Sequence, residues 1–185
     1  MVDLTLRGTI EATGYSGGPV AGTTFTGTTF TGTTFEGTTF TGTTFEGAKI
    51  KTTAEGGIAV KMTNKTGAAS VKGSIVSLST ETDNAFALAA IGASGVVGVV
   101  YESGIADGAE CWVVVKGIAE TLFTNNITHG MYARAPIATD TDKVAGRAVG
   151  AAIPADTFNT DAYLARFGFV MESKAAGALA KVLLD

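Results

Sequence analysis

Hydrophobic and polar positions fall into two regimes along this chain. From residue 10 to residue 50 a large apolar side chain recurs at every fifth position: Ile10, Tyr15, Val20, Phe25, Phe30, Phe35, Phe40, Phe45 and Ile50. Glycine and threonine fill most of the intervals, as in Gly-Thr-Thr-Phe-Thr. A flat strand would send alternate members of this series to opposite faces. An α-helix would rotate each one by roughly 140° net from the last. Keeping all nine on one side requires the backbone to turn a corner every five residues.

From about Gly57 onward the repeat stops and short apolar runs alternate with turn residues. The predicted strands are Ile58–Met62, Ser74–Leu78, Ala85–Ala90, Val96–Glu102, Cys111–Val115, Met131–Ala135, Val144–Ile153, Ala165–Glu172 and Ala180–Leu184. Valine, isoleucine, threonine and phenylalanine dominate them, and long helical periodicity is missing. Nine short strands predict a barrel or sandwich.

The five-residue unit resembles the pentapeptide-repeat family, which coils as a square right-handed β-helix with one unit per side. The resemblance puts the nine apolar residues inside the coil as its packing core. Thr23, Thr28, Thr33, Thr38 and Thr43 take the family's second inward place. Thr24, Thr29, Thr34, Thr39 and Thr44 stand where the family favours Asp or Asn. Nine units give a little over two coils, a stack roughly 10 Å tall. Its ends need covering, as in any solenoid.

The second segment contains an internal match. Gly98-Val-Val-Tyr-Glu102-Ser103 is similar to Gly168-Phe-Val-Met-Glu172-Ser173. Each leads through a small-residue turn, Ala106-Asp107-Gly108 or Ala175-Ala176-Gly177, into another apolar strand. Upstream, Lys72-Gly73 corresponds to His129-Gly130. The offsets are about 57 and 70 residues, so the second copy carries an insertion, placed at Pro154–Asp161. Two duplicated β units packed around one core are expected.

Composition narrows the function. The net charge of −4 and pI near 5.0, without a basic stripe, argue against nucleic acid as partner. Met1–Arg7 lacks a signal-peptide pattern. The apolar stretch Ala85–Val100 is short and broken by glycine, so no membrane partner is expected. The one cysteine, Cys111, excludes an intrachain disulfide framework and fits cytosolic synthesis.

Residues 58–185 resemble small virion proteins of tailed bacteriophages. The resemblance rests on Thr63-Asn-Lys-Thr-Gly67, Lys72-Gly73, Gly98-Val-Val-Tyr-Glu-Ser-Gly104, Ala106–Val115 and Gly117-Ile118-Ala119. Those proteins are capsid decoration, or cement, proteins. The resemblance implies a compact β domain, a homotrimer, and the major capsid protein as partner on the outside of the head.

The groups that could carry chemistry are few. His129 is the only histidine, in a predicted turn, and Cys111 sits inside a valine-rich strand. Gly92-Ala-Ser-Gly95-Val-Val-Gly98 lacks the ending of a phosphate loop. Glu102 and Glu172 are strand-end carboxylates of equivalent repeats, expected to be solvated charges or interface contacts; the alternative is a facing acid–base pair. Asp140, Asp142 and Asp156 lie in predicted loops without an EF-hand pattern.

The expectation is therefore an all-β protein: an N-terminal arm (1–9), a short pentapeptide-type β-helix (10–56), and an antiparallel β-barrel or sandwich with internal duplication (57–185). No catalytic, metal or cofactor site is expected. The expected role is a head decoration protein made in the host cytoplasm and carried on the virion surface. A fibre or tail adhesion module is the alternative.

Overall fold

The valine- and isoleucine-rich runs become strands because branched side chains pack well on a pleated surface. The computed structural model describes residues 49–152 and 164–185, which lie in the second of the two units into which the chain divides, 1–40 and 41–185. Ten strands follow one another: β1 (Ile50–Thr52), β2 (Gly57–Asn64), β3 (Ile75–Leu78), β4 (Ala85–Leu88), β5 (Val96–Val100), β6 (Glu110–Leu122), β7 (Tyr132–Arg134), β8 (Val149–Ala151), β9 (Arg166–Val170) and β10 (Leu179–Leu184). The protein is all-β, as the apolar pattern predicts. Each of the nine predicted strands overlaps an observed one, and β1 is additional.

The pairings close two five-stranded rings. In the first, β2 pairs β4, β4 pairs β3, β3 pairs β5, β5 pairs β6, and β6 returns to β2. In the second, β6 pairs β10, then β9, β7 and β8 follow, and the Phe123–Ala148 bridge returns β8 to the C-terminal end of β6. Strand β6 thus serves both barrels. Its 13 residues exceed the predicted Cys111–Val115 because Gly117, at φ 79°, interrupts the apolar pattern without ending the strand.

The barrel domain is antiparallel, as expected, at every contact but β2–β4 and Phe123–Ala148, which are parallel. The reason is parity: a ring with an odd number of strands cannot alternate direction all the way round. The predicted strand Val144–Ile153 is also shorter, because Val144–Ala148 forms a turn. There the Gly146 amide donates to Ala89 O at 2.9 Å and Gly146 O accepts from the Ile75 amide at 2.8 Å, linking the barrels.

The duplication is present in register as well as sequence. Ile75 pairs Val99 and Val76 pairs Gly98; Tyr132 pairs Phe169 and Ala133 pairs Gly168. The ladder slips after Val76 in one half and after Ala133 in the other. The turns correspond too. Gly108 N donates to Asn64 O at 2.7 Å, and Gly177 N to Phe123 O at 2.9 Å. The proposed insertion Pro154–Asp161 lies outside the described residues.

The two interiors are filled differently. Met62, Val76, Phe86, Val100, Cys111 and Val113 form the core of the first barrel. Asn64, fully buried at its edge, donates to Ala68 O and Ile105 O and accepts from Thr66 N. Its counterpart in the second barrel is Phe123, also fully buried. A larger cluster holds Ala119, Phe123, Ala133, Phe167, Val170 and Val182 together with Ala59, Ile75, Val99 and Val114 from the outside of the first barrel.

Candidate interaction surfaces

Glu102, Glu172, His129, Cys111 and Asp140 each help to hold the barrels, while Asp142 lies in the loop beside Asp140. Glu102 follows β5, and its Oε1 accepts from the Trp112 amide at 3.2 Å. Glu172 follows β9, and its Oε1 accepts from the Lys181 amide at 3.0 Å. The two carboxylates therefore do not form a facing pair. Each ties the end of its own hairpin, because β5–β6 and β9–β10 are equivalent hairpins.

His129 occupies the turn before β7. Its amide donates to Ser173 Oγ at 3.2 Å, and its Nδ1 lies 3.4 Å from the same hydroxyl. Lys72, its counterpart, donates its amide to Ser103 Oγ at 2.8 Å. The histidine thus holds a duplicated turn. Cys111 is fully buried, and burial pushes its thiol up from the ordinary range. A thiol so placed stays protonated and weakly nucleophilic.

Asp140 is bound in a fork by Arg134, with Nη1 2.7 Å and Nη2 2.6 Å from the carboxylate oxygens. It also accepts from the Ile137 amide at 2.7 Å. The Arg134 guanidinium holds its carboxyl below the usual range. Among the described residues no group of three or more His, Cys, Asp or Glu side chains converges as a metal site. Gly92 sits in a turn, with its amide donating to Pro136 O at 2.7 Å, and Gly98 belongs to β5.

Of the nine residues assigned to the repeat core, only Ile50 lies among the described residues. Ile10, Tyr15, Val20, Phe25, Phe30, Phe35, Phe40 and Phe45 fall outside them. Ile50 is on β1, pairs Val60, and is 51% exposed, so it is a strand residue at the sheet edge and not an enclosed core residue. The reason is its partner: β1 adds to β2 on the side that β4 leaves free below Thr63.

Sequence reasoning missed a row of cations and rings beside β1. Lys51 Nζ lies 4.7 Å from the Tyr101 ring centroid and 4.6 Å from that of Trp112. Lys61 reaches the Trp112 ring at 5.1 Å, and Lys72 the Tyr101 ring at 5.5 Å. Lys49 and Lys61 also pair with Glu110, and Lys72 with Glu120 and Glu55. The hydrogen bond to Glu120 raises the Lys72 ammonium above its ordinary range. No spacing in the chain announces this row, since β1, β2, β6, Tyr101 after β5 and Lys72 before β3 each contribute to it.

Among the described residues two apolar surfaces stand out. One is the mouth of the first barrel, a hollow of about 710 Å³ lined by Ile50, Val60, Met62, Leu78, Val97 and Val115, among others. Leu78 at its rim is 59% exposed. The other is the outer face of the second barrel, where Ile118, Leu183, Phe169 and Tyr132 form a cross-strand row over β6, β10, β9 and β7. Leu183 is 45% exposed, and Arg166 stacks over the Tyr132 and Phe169 rings at 5.5 and 5.1 Å.

The pentapeptide repeats family matches residues 21–53 in eight copies, in line with the β-helical reading of that segment. No curated protein matches the chain. Among solved structures the chain is similar to the head fiber gp8.5 N base of bacteriophage phi29, with a TM-score of 0.46 and 14% identity. That likeness covers 69% of this chain and 92% of the other.

Proposed function

We propose that this protein is a structural component of a bacteriophage virion, a decoration protein that binds the outside of the head lattice through the major capsid protein. Its work is binding, without catalysis, cofactor or metal. The observation that carries this reading is how the side chains are spent. Glu102, Glu172, Asp140, His129 and Cys111 hold turns or lie buried, while among the described residues apolar surface is left open at two places. That is the distribution of a docking module. The resemblance of residues 58–185 to decoration proteins supplies the partner.

The mechanism follows from mass action. A protein that binds the assembled shell and not its separated subunits stabilises the shell in proportion to its occupancy. A lattice presents many identical seams, and a homotrimer would engage several at once, so modest single-site affinities multiply. Cosedimentation of the purified protein with undecorated heads, followed by imaging of the pellet, tests this. Saturable binding at regular lattice positions is expected. Failure to bind heads at any stage of maturation overturns it and moves a fibre or tail adhesion role to first place.

A further inference from the structure

The duplication allows each surface of one barrel to be compared with the same surface of the other. On the outside of the first barrel, Ala59, Val114, Val99 and Ile75 form a cross-strand row. Their counterparts in the second barrel are Ile118, Leu183, Phe169 and Tyr132, by the same pairings. The first row is buried, each residue 0–2% exposed. It belongs to one apolar cluster with Ala119, Ala135, Phe167 and Leu184 of the second barrel.

Those four residues line the mouth of the second barrel. Their counterparts in the first are Val60, Leu78, Val97 and Val115, which line the open hollow. So within the chain the outer row of one barrel plugs the mouth of the next. The arrangement is head-to-tail, and among the described residues it leaves one surface of each kind without a partner barrel. The plug left over is the Tyr132–Phe169–Leu183–Ile118 row. The socket left over is the mouth around Leu78.

We infer that these two surfaces meet between copies: the outer row of the second barrel of one molecule seats in the first-barrel mouth of another. The occupant of each surface is a second copy of this chain, because the chain already contains the equivalent pair of surfaces joined, with smaller side chains in the covered row. Such a contact is heterologous, so repeated contacts close into a ring if the rotation permits and otherwise extend into a chain. The face is also chemically suited to burial. It offers two aromatic rings and two aliphatic side chains, with Arg166 stacked at its edge and ion-paired to Asp185 at 2.8 Å.

The test uses the full chain in solution, without phage heads, so its outcome is separate from that of head binding. Sedimentation velocity of the wild-type protein should show reversible association. Leu183→Glu places a charge on the plug and Leu78→Glu places one at the socket. Both positions are exposed in the single molecule, so each variant should keep the wild-type melting curve. Each alone should raise the dissociation constant by about 100-fold or more, since a desolvated unpaired charge opposes the contact.

The deciding measurement is the mixture. A Leu183→Glu molecule keeps its socket and a Leu78→Glu molecule keeps its plug. Mixed together they should form pairs that stop at two, whereas neither associates alone. Should glutamate unfold either barrel, Leu183→Ser and Leu78→Ser should give the same pattern with smaller shifts. A wild-type protein that stays monomeric overturns the inference. So does assembly unchanged by either variant, which would assign it to another surface, or a mixture that fails to pair.

Discussion

Glu102 and Trp112 are joined by a hydrogen bond of 3.2 Å from the Trp112 amide to the carboxylate, closing the hairpin β5–β6 from the side. Glu172 does the same for the Lys181 amide at 3.0 Å. A carboxylate that accepts from a backbone amide is a stronger acceptor than a neutral group. Glu102→Ala and Glu172→Ala should therefore each cost about 1–2 kcal/mol in denaturant unfolding, with the Gln variants retaining part of that. Equal losses in the two halves would mark the bonds as equivalent. Unchanged stability in both would show that the carboxylates do not hold the hairpins.

Gly98 and Gly168 are a second equivalent pair. A Cβ at Gly98 would collide with the Val114 carbonyl and the Val113 side chain; at Gly168 it would collide with the Leu183 carbonyl and the Val182 side chain. Here the close approach of two strands at a bulge, and not a left-handed φ, requires glycine. Gly98→Ala and Gly168→Ala should each destabilise the protein by about 1–3 kcal/mol by overpacking. Thermal melts of both variants check this, and a neutral result at either site would refute the packing reading.

The Arg134–Asp140 fork predicts an acid response. Arg134 and Asp140 side chains are only 7% and 16% exposed. Asp140→Ala leaves the buried guanidinium without its counterion and should cost about 3–5 kcal/mol at neutral pH. The folded-state carboxyl is held below its ordinary range by Arg134. Its contribution is therefore complete above the ordinary aspartate range and fades as pH falls through the lowered folded value. The stability gap between wild type and Asp140→Ala should narrow on acidification in urea titrations run at several pH values. A gap independent of pH would show that the ion pair is not its source.

Cys111 offers a probe of barrel opening. Its side chain is buried in the core of the first barrel, and burial pushes the thiol up. Ellman's reagent should leave it unmodified in the native protein and modify it fully in denaturant. Reaction in native buffer as fast as in the unfolded chain would show that the first barrel opens readily.

The nine predicted strands, the all-β class and the duplication were all legible in the chain. Alternation of branched and small residues is a local property, and Gly98–Ser103 against Gly168–Ser173 repeats it with the same turn residues. What the linear pattern left open was pairing. Glu102 and Glu172 look like candidates for one acid–base site because they are equivalent. Equivalence in a head-to-tail duplication places them instead at the ends of separate hairpins.

The sequence by itself determined which segments are strands, where the chain turns, and that one β unit occurs twice. These follow from side-chain shape, glycine placement and period, each acting over a few residues. Only the tertiary structure decided that β6 runs through both barrels, and that each ring closes with one parallel contact. It also decided that Ile75 and Val99 are fully covered while their counterparts Tyr132 and Phe169 are only half-buried. The physical reason is that burial depends on what stacks against a face. Two equivalent faces differ when one barrel plugs its neighbour and the last plug in the series has no further barrel to fill among the described residues.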